Sequence, residues 1–295
     1  MVGFGPGVGH TPLVESSSRS ADVGRVGPVV ANVLQPYVGR PGLEGRRWWP
    51  LPPRSVAPRL AVVGVVLLSL GAALAVAVAS DEAGMDARDL AINQWFRNLG
   101  ESNGVLFQLA EWLSWIGSGR RTGPIVIVFA IVLLALRQWR WAVFQLLVTE
   151  LGYLISDVAK VSVSRQRPPW VDFGPLELGT SFPSGHTFGG VTAWVTMGLV
   201  LWFLLPRAWS TVLAVSCWCV GLLNGPSRLV LGVHWVTDVL GGLLLGTGWL
   251  LVVSAACLWV WGPGRGGTGD SDPERGPDAE RAESTIAKGA GASAP

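Results

Sequence analysis

The chain has 295 residues, of which 49% are hydrophobic and only 14% charged, with a formal net charge of +2. Soluble domains carry roughly 25% charged residues, so most of this surface is not built for water. The small net charge and the lack of a basic run argue against a nucleic-acid partner, and Cys217, Cys219 and Cys257, each inside an apolar run, offer neither a disulfide framework nor a zinc spacing.

Residues 1–58 are rich in Gly, Pro, Ser and Arg without helical or strand periodicity, which predicts a disordered cytoplasmic extension. They do not read as a secretory signal, because the first apolar stretch begins only near residue 60 and is too long for one. A twin-arginine reading of Arg46-Arg47 fails for the same reason. Six runs can then cross a bilayer, which takes about 20 mostly apolar helical residues. They cover residues 59–80, 123–137, 141–163, 186–205, 209–225 and 235–261. Between the first two lies 105–119, where Gln108, Glu111 and Ser114 recur every three positions, as in an amphipathic helix lying in the interface. If that stretch crossed the bilayer by itself, every later orientation would flip. The expected architecture is therefore all-α: a six-helix membrane domain over 59–261, one interfacial helix, and a second disordered cytoplasmic tail at 262–295.

Positive charge in short loops sets orientation. Arg46, Arg47, Arg54 and Arg59 precede the first span; Arg137 and Arg140 follow the second, Arg207 the fourth and Arg265 the sixth. With six spans all four sets share one side, which predicts cytoplasmic termini. The 81–104 segment, read as a loop, holds Asp81, Glu82, Asp86 and Asp89, which suits the outer face. Arg120 and Arg121 run against the rule.

Three polar segments converge on that outer face: KVSVSRQRP at 160–168, PSGH at 183–186 and SRLVLGVHWVTD at 227–238. Of the 22 basic residues only Lys160 and Lys288 are lysines, and Lys288 sits in a polar tail. Ionisable groups at the edge of a bilayer core are costly to place and mark functional sites. Lys160, Arg167 and Arg228 together with His186 and His234 suit a phosphoryl group, whose oxygens match arginine forks and a lysine point charge. A plainer reading stays open for single residues. Lys160 and Arg165 could each snorkel to headgroups, and for Arg165, which meets no second constraint, that reading leads. Arg167 and Arg228 stand beside Pro168 and Pro226-Ser227, read as turns that aim them.

His234 and Asp238 are four apart at the start of the sixth span, so they share a helix face. A carboxylate on one ring nitrogen fixes the tautomer and leaves the other nitrogen free to attack. His and Asp at this spacing also occur as metal ligands, but three neighbouring cations would repel a divalent ion and further ligands are lacking, so neither metal nor other cofactor is expected. In PSGH, Pro183 and Gly185 shape a turn and Ser184 is a natural N-cap. The helix's first N–H groups then form an anion site. Alone, PSGH reads as an ordinary helix start.

Together the three segments resemble the signature of the type 2 phosphatidic acid phosphatase family: K-x6-R-P, P-S-G-H and S-R-x5-H-x3-D. Lys160 with Arg167-Pro168, Pro183-Ser184-Gly185-His186, and Ser227-Arg228 with His234 and Asp238 match it in type and spacing. The likeness covers about residues 59–261 and leaves the tails outside. It implies that Lys160, Arg167, Arg228, Ser184 and the Gly185 N–H hold the phosphoryl oxygens, and that His234 attacks phosphorus to form a phosphohistidine. Asp238 would orient His234, and His186 would protonate the leaving group and then activate water. No metal is implied. The substrate would be a membrane lipid phosphate: a polyprenyl pyrophosphate, phosphatidic acid or phosphatidylglycerol phosphate.

Three functions stay open on this reading: a lipid-phosphate phosphohydrolase, a phosphotransferase using the same site, and an inactive membrane scaffold. Soluble vanadate haloperoxidases share the signature, but six apolar spans argue against one. In the loop before PSGH, Trp170, Asp172, Phe173 and Glu177 are either headgroup selectors or ordinary interfacial aromatics and solvated acids. Glu150 and Asp157 could support an ion path, although Asp157, three residues before Lys160, reads more simply as its ion-pair partner.

Overall fold

A computed structural model of the protein describes residues 52–170 and 179–262. A short 3-10 turn, Arg54–Val56, leads into α1 (Ala57–Ser80), followed by α2 (Glu82–Ser102), α3 (Gly104–Gly117) and α4 (Gly119–Ala135). Then come α5 (Trp139–Val163), α6 (Gly185–Leu204), α7 (Arg207–Val230) and α8 (Val236–Trp261). Among the described residues there is no strand.

Five helices, α1, α5, α6, α7 and α8, are individually long and apolar enough to cross a membrane. The α3 helix and the Arg121–Ala135 part of α4 meet at a 54° bend and pass the same test as a pair. Counted once, that pair brings the spans to six. The bend falls where Ser118, with extended φ/ψ of −66° and 136°, separates Gly117 from Gly119. The stretch expected to lie in the interface is α3, the first arm of this bent pair, which is either a broken span or a re-entrant loop, and it packs along α7. At the bend Arg121 donates to the Trp115 carbonyl at 3.0 Å and stands over the Trp115 ring at 4.2 Å.

Many outward-facing residues are large and apolar, as in Val62, Leu70, Ile131, Val161 and Val212, the pattern of a bundle whose solvent is hydrocarbon. Helices approach closely where both partners are small. A Cβ on Gly64 would lie 2.9 Å from the Gly248 carbonyl oxygen, tying α1 to α8. One on Gly190 would lie 2.3 Å from the Gly221 carbonyl oxygen, tying α6 to α7. The α6 contact falls in a π-helical stretch, Gly190–Val195, inside the span.

The 81–104 segment is not a loop. Asp81 caps α2 by accepting the Gly84 N–H at 3.1 Å, and the helix runs for 21 residues. Its buried stripe is Met85, Asp89, Asn93 and Gly100. The inward face is therefore partly polar, which removes the apolar periodicity that would have announced a helix. Similarly, α7 runs about a turn past the expected residue 225. Pro226 lies inside it, so Arg228 sits in its last helical turn and not in a loop.

Candidate active site

Lys160 lies in the last turn of α5, which stops at Ser164 with a left-handed φ of 51°. Its ammonium leans on the first turn of α6, where a Cβ on Gly185 would lie 3.2 Å from Nζ. Beyond the turn, Arg167 donates from Nε to the Gly179 carbonyl at 3.1 Å and from Nη1 to the Val233 carbonyl at 3.0 Å. That anchorage leaves Nη1 3.4 Å from His234 Nε2.

The start of α6 is docked onto the start of α8. The Ser184 N–H donates to the Asp238 backbone carbonyl at 3.0 Å, and Ser184 Oγ accepts from the Thr187 N–H at 3.5 Å. His186 follows in the first turn, beside the Ser114 backbone of α3 and within electrostatic reach of Arg228, His234 and Arg167. Arg228 meets the same α3 residue, donating from Nη1 to Ser114 Oγ.

His234 precedes α8, and Asp238 sits in that helix's first turn. Asp238 Oδ2 accepts from the Trp235 N–H at 2.9 Å and from Ser181 Oγ, and it lies 3.3 Å from His234 Nδ1. This pattern assigns the proton to Nδ1 and the lone pair to Nε2, on the side facing Arg167. Burial pushes the His234 pKa down to about 4, and Arg228 and Arg167 push the same way, outweighing the pull of Asp238. The imidazole is therefore neutral at pH 7.

All eight expected site residues, Lys160, Arg167, Ser184, Gly185, His186, Arg228, His234 and Asp238, come together at one end of the bundle, at the junction of α5, α6, α7 and α8. Three cations and a neutral imidazole whose Nε2 lone pair faces Arg167 suit an anion with several oxygens and an electrophilic centre. Among the described residues no three His, Cys, Asp or Glu side chains cluster as metal ligands.

Arg165 does not snorkel to headgroups, as its sequence position suggests it would. Its side chain is 0% exposed and pairs with Asp86, Asp89 and Asp238 at 2.7, 3.1 and 2.8 Å. Burial by itself would lower its pKa, but the carboxylates outweigh that and raise it, so it is a fixed cation. Ser181, Ser114, Asp86, Asp89 and Asn93 also went unread as site neighbours. Only the acidity of the 81–104 segment hinted at them. The expected Asp157–Lys160 pair does not close within 4.0 Å, and Asp157 and Glu150 are both exposed. Trp170 Nε1 donates to the Gly232 carbonyl at 2.8 Å, propping the His234 loop. Asp172, Phe173 and Glu177 lie outside the described residues.

Comparison with known proteins identifies the family. The PAP2 superfamily model matches residues 141–261. Phosphatidylglycerophosphatase B of Bacillus subtilis (strain 168) is 31% identical over 145 residues, spanning 48% of this chain and 70% of the relative. The Escherichia coli (strain K12) protein of the same name is 39% identical over 84 residues, 28% of this chain and 30% of that one. An undecaprenyl-diphosphatase from Sulfolobus acidocaldarius is 29% identical over 109 residues, 35% of this chain and 48% of that one. Among solved structures, a transmembrane PAP2-type phosphatidylglycerolphosphate phosphatase from Bacillus subtilis superposes with a TM-score of 0.55 at 26% identity. The match covers 65% of this chain and 94% of that one. With a multi-pass helical bundle, the matched region and relatives that are lipid phosphatases by name, the chain belongs to the PAP2 superfamily.

Proposed function

We propose that the chain is a membrane lipid-phosphate phosphohydrolase working through a phosphohistidine. The observation that carries this reading is the His234–Asp238 pair, whose free ring nitrogen faces Arg167 with Lys160 and Arg228 nearby. In the first step His234 Nε2 attacks phosphorus in line, forming a P–N bond as the P–O bond to the leaving group breaks. His186 donates a proton to the departing oxygen. In the second, His186 takes a proton from water, the water oxygen attacks phosphorus, and the P–N bond breaks to free phosphate and His234. Lys160, Arg167, Arg228, Ser184 Oγ and the Gly185 N–H hold the phosphoryl oxygens as charge shifts onto them. Asp238 holds His234 in the reactive tautomer and balances the charge it gains.

The names of relatives point to phosphatidylglycerophosphate and undecaprenyl diphosphate, which supports a phosphatidylglycerol phosphate or a polyprenyl pyrophosphate as the lipid, with phosphatidic acid the third candidate carried by the family resemblance. The loop arginines, gathered on one side by a six-span count, support an extracytoplasmic site with both termini cytoplasmic. The described helices would form the catalytic membrane domain of 59–261, flanked by the extensions 1–58 and 262–295. A reporter fused after residue 261 should read as cytoplasmic, and an external signal would overturn that orientation.

Phosphate release by the detergent-purified protein, measured over a panel of these lipids with and without EDTA, tests the function. Release from at least one lipid, unchanged by EDTA, is expected. Release from none, or EDTA-sensitive release, would contradict the proposal. The pH profile adds a second check. The attacking form of His234 is the neutral one, so activity is present above its folded pKa and is lost as pH falls through it. Corrected for substrate ionisation, the acid limb of kcat/KM should have its midpoint near 4 and not near the usual 6.5. A limb at or above 6.5 would count against His234 as the attacking group.

A further inference from the structure

We infer that Arg165, gripped by Asp86 and Asp89 of α2, is a positioning residue for Asp238 and through it for His234. This rests on the roles proposed above for His234 and Asp238.

Burying an unpaired cation costs several kcal/mol, so a fully buried arginine needs partners. Asp86 and Asp89 already supply more negative charge than Arg165 requires, yet the guanidinium reaches a third carboxylate. The geometry explains why. On one edge Nη2 donates to Asp86 Oδ1 at 2.7 Å and Asp89 Oδ2 at 3.1 Å, while Nε donates to Asp86 Oδ1 at 3.1 Å. From the other edge Nη1 donates to Thr237 Oγ1 at 2.6 Å and Asp238 Oδ1 at 2.8 Å. The Trp235 ring covers the guanidinium face, with the centroid 5.2 Å from Cζ. A planar fork held on one edge and one face cannot swing. Its far edge therefore pins Oδ1 of Asp238, and the carboxylate is left with Oδ2 for His234 Nδ1. Without the pin, Oδ2 would be held only by the Trp235 N–H and Ser181 Oγ, and the carboxylate plane could turn about that oxygen and misalign it with the imidazole.

The same helix holds the backbone on either side of the nucleophile. Asn93 Nδ2 donates to the His234 carbonyl at 2.7 Å, and Asn93 Oδ1 accepts the Val236 N–H at 3.1 Å. Asp89 Oδ2 accepts the Thr237 N–H at 3.2 Å and is also bonded by Thr237 Oγ1. Thus α2, which lies before the matched region at 141–261, sets the nucleophile's loop directly and its carboxylate through Arg165.

A structural role and a positioning role are separable. Arg165→Met leaves the buried Asp89 and Asp238 and the part-buried Asp86 uncompensated and should lose both thermal stability and activity. Adding Asp86→Asn and Asp89→Asn relieves that charge. In this compensated variant the melting temperature should return towards wild type, while kcat stays about 100-fold low, the scale of a misplaced catalytic group, with KM little changed. Recovery of kcat along with stability would overturn the proposal, because Arg165 would then only neutralise the acids. Arg165→Lys keeps the charge but cannot reach both edges, and it decides the matter if the compensated variant does not fold. Its kcat should fall roughly tenfold or more at unchanged KM, the range seen when groups orienting an active-site side chain are altered; wild-type kcat would overturn the proposal. His234→Ala is run alongside. Undiminished activity there would mean that the reading of His234 has failed, whatever Arg165 does.

Discussion

His234→Ala should lower kcat by about 10^5-fold or more, the scale of removing a nucleophile that acts as part of a unit. The imidazole is the described group with a lone pair facing the cationic cluster, at 3.4 Å from Arg167 Nη1, and alanine offers nothing to attack with. The fold should survive the change. Asp238 keeps Arg165, Ser181 and the Trp235 N–H as partners, so no charge is orphaned by the truncation. Phosphate release and melting temperature, measured on the same detergent-purified sample, separate the two effects. Residual activity within tenfold of wild type would remove His234 from the chemistry.

Asp238→Asn should cost about 10^4-fold in kcat, the size of effect found when a triad carboxylate becomes an amide. Both carboxylate oxygens accept hydrogen bonds here. Oδ1 takes Arg165 Nη1, while Oδ2 takes the Trp235 N–H and Ser181 Oγ and faces His234 Nδ1. An amide must point its NH2 at one of these sets. Facing Arg165, it sets donor against donor beside a buried cation. Facing His234, it drives the ring proton to Nε2 and removes the attacking lone pair. Either orientation should also lower the melting temperature, since Arg165 loses a charged partner. A folded variant with kcat within tenfold of wild type would mean that Asp238 does not orient the nucleophile.

The first-line residues were legible because each obeys a short-range spacing. His234 and Asp238 sit four apart, Lys160 and Arg167 bracket one turn, and Ser184-Gly185-His186 are contiguous. The spans were legible because hydrocarbon selects long apolar helices, and their ends fell within a few residues of the expected ones at α1, α5, α6 and α8. The supporting groups escaped because their partners are distant in sequence. Arg165 meets Asp86 across 79 residues and Asp89 across 76, and nothing local to either segment reports the pairing. The α2 helix escaped for a related reason: Asp89 and Asn93 are buried polar residues, so its inward face does not look like one. Ser114 was noticed for its period in an amphipathic stretch, whereas its place beside Arg228 and His186 depends on the bend after Gly117.

The most direct test of the proposed chemistry is to trap the covalent intermediate. On the proposed mechanism His186→Asn should slow hydrolysis of the phosphoenzyme, and an aryl phosphate as substrate spares the first step its need for a proton. That variant is mixed with radiolabelled aryl phosphate, quenched in alkali to preserve a phosphoramidate, and mapped by peptide. The proposed mechanism predicts acid-labile, base-stable label on the peptide holding His234, absent when His234 is also replaced. Label on another residue, or phosphate release with no labelled protein at any time point, would contradict it.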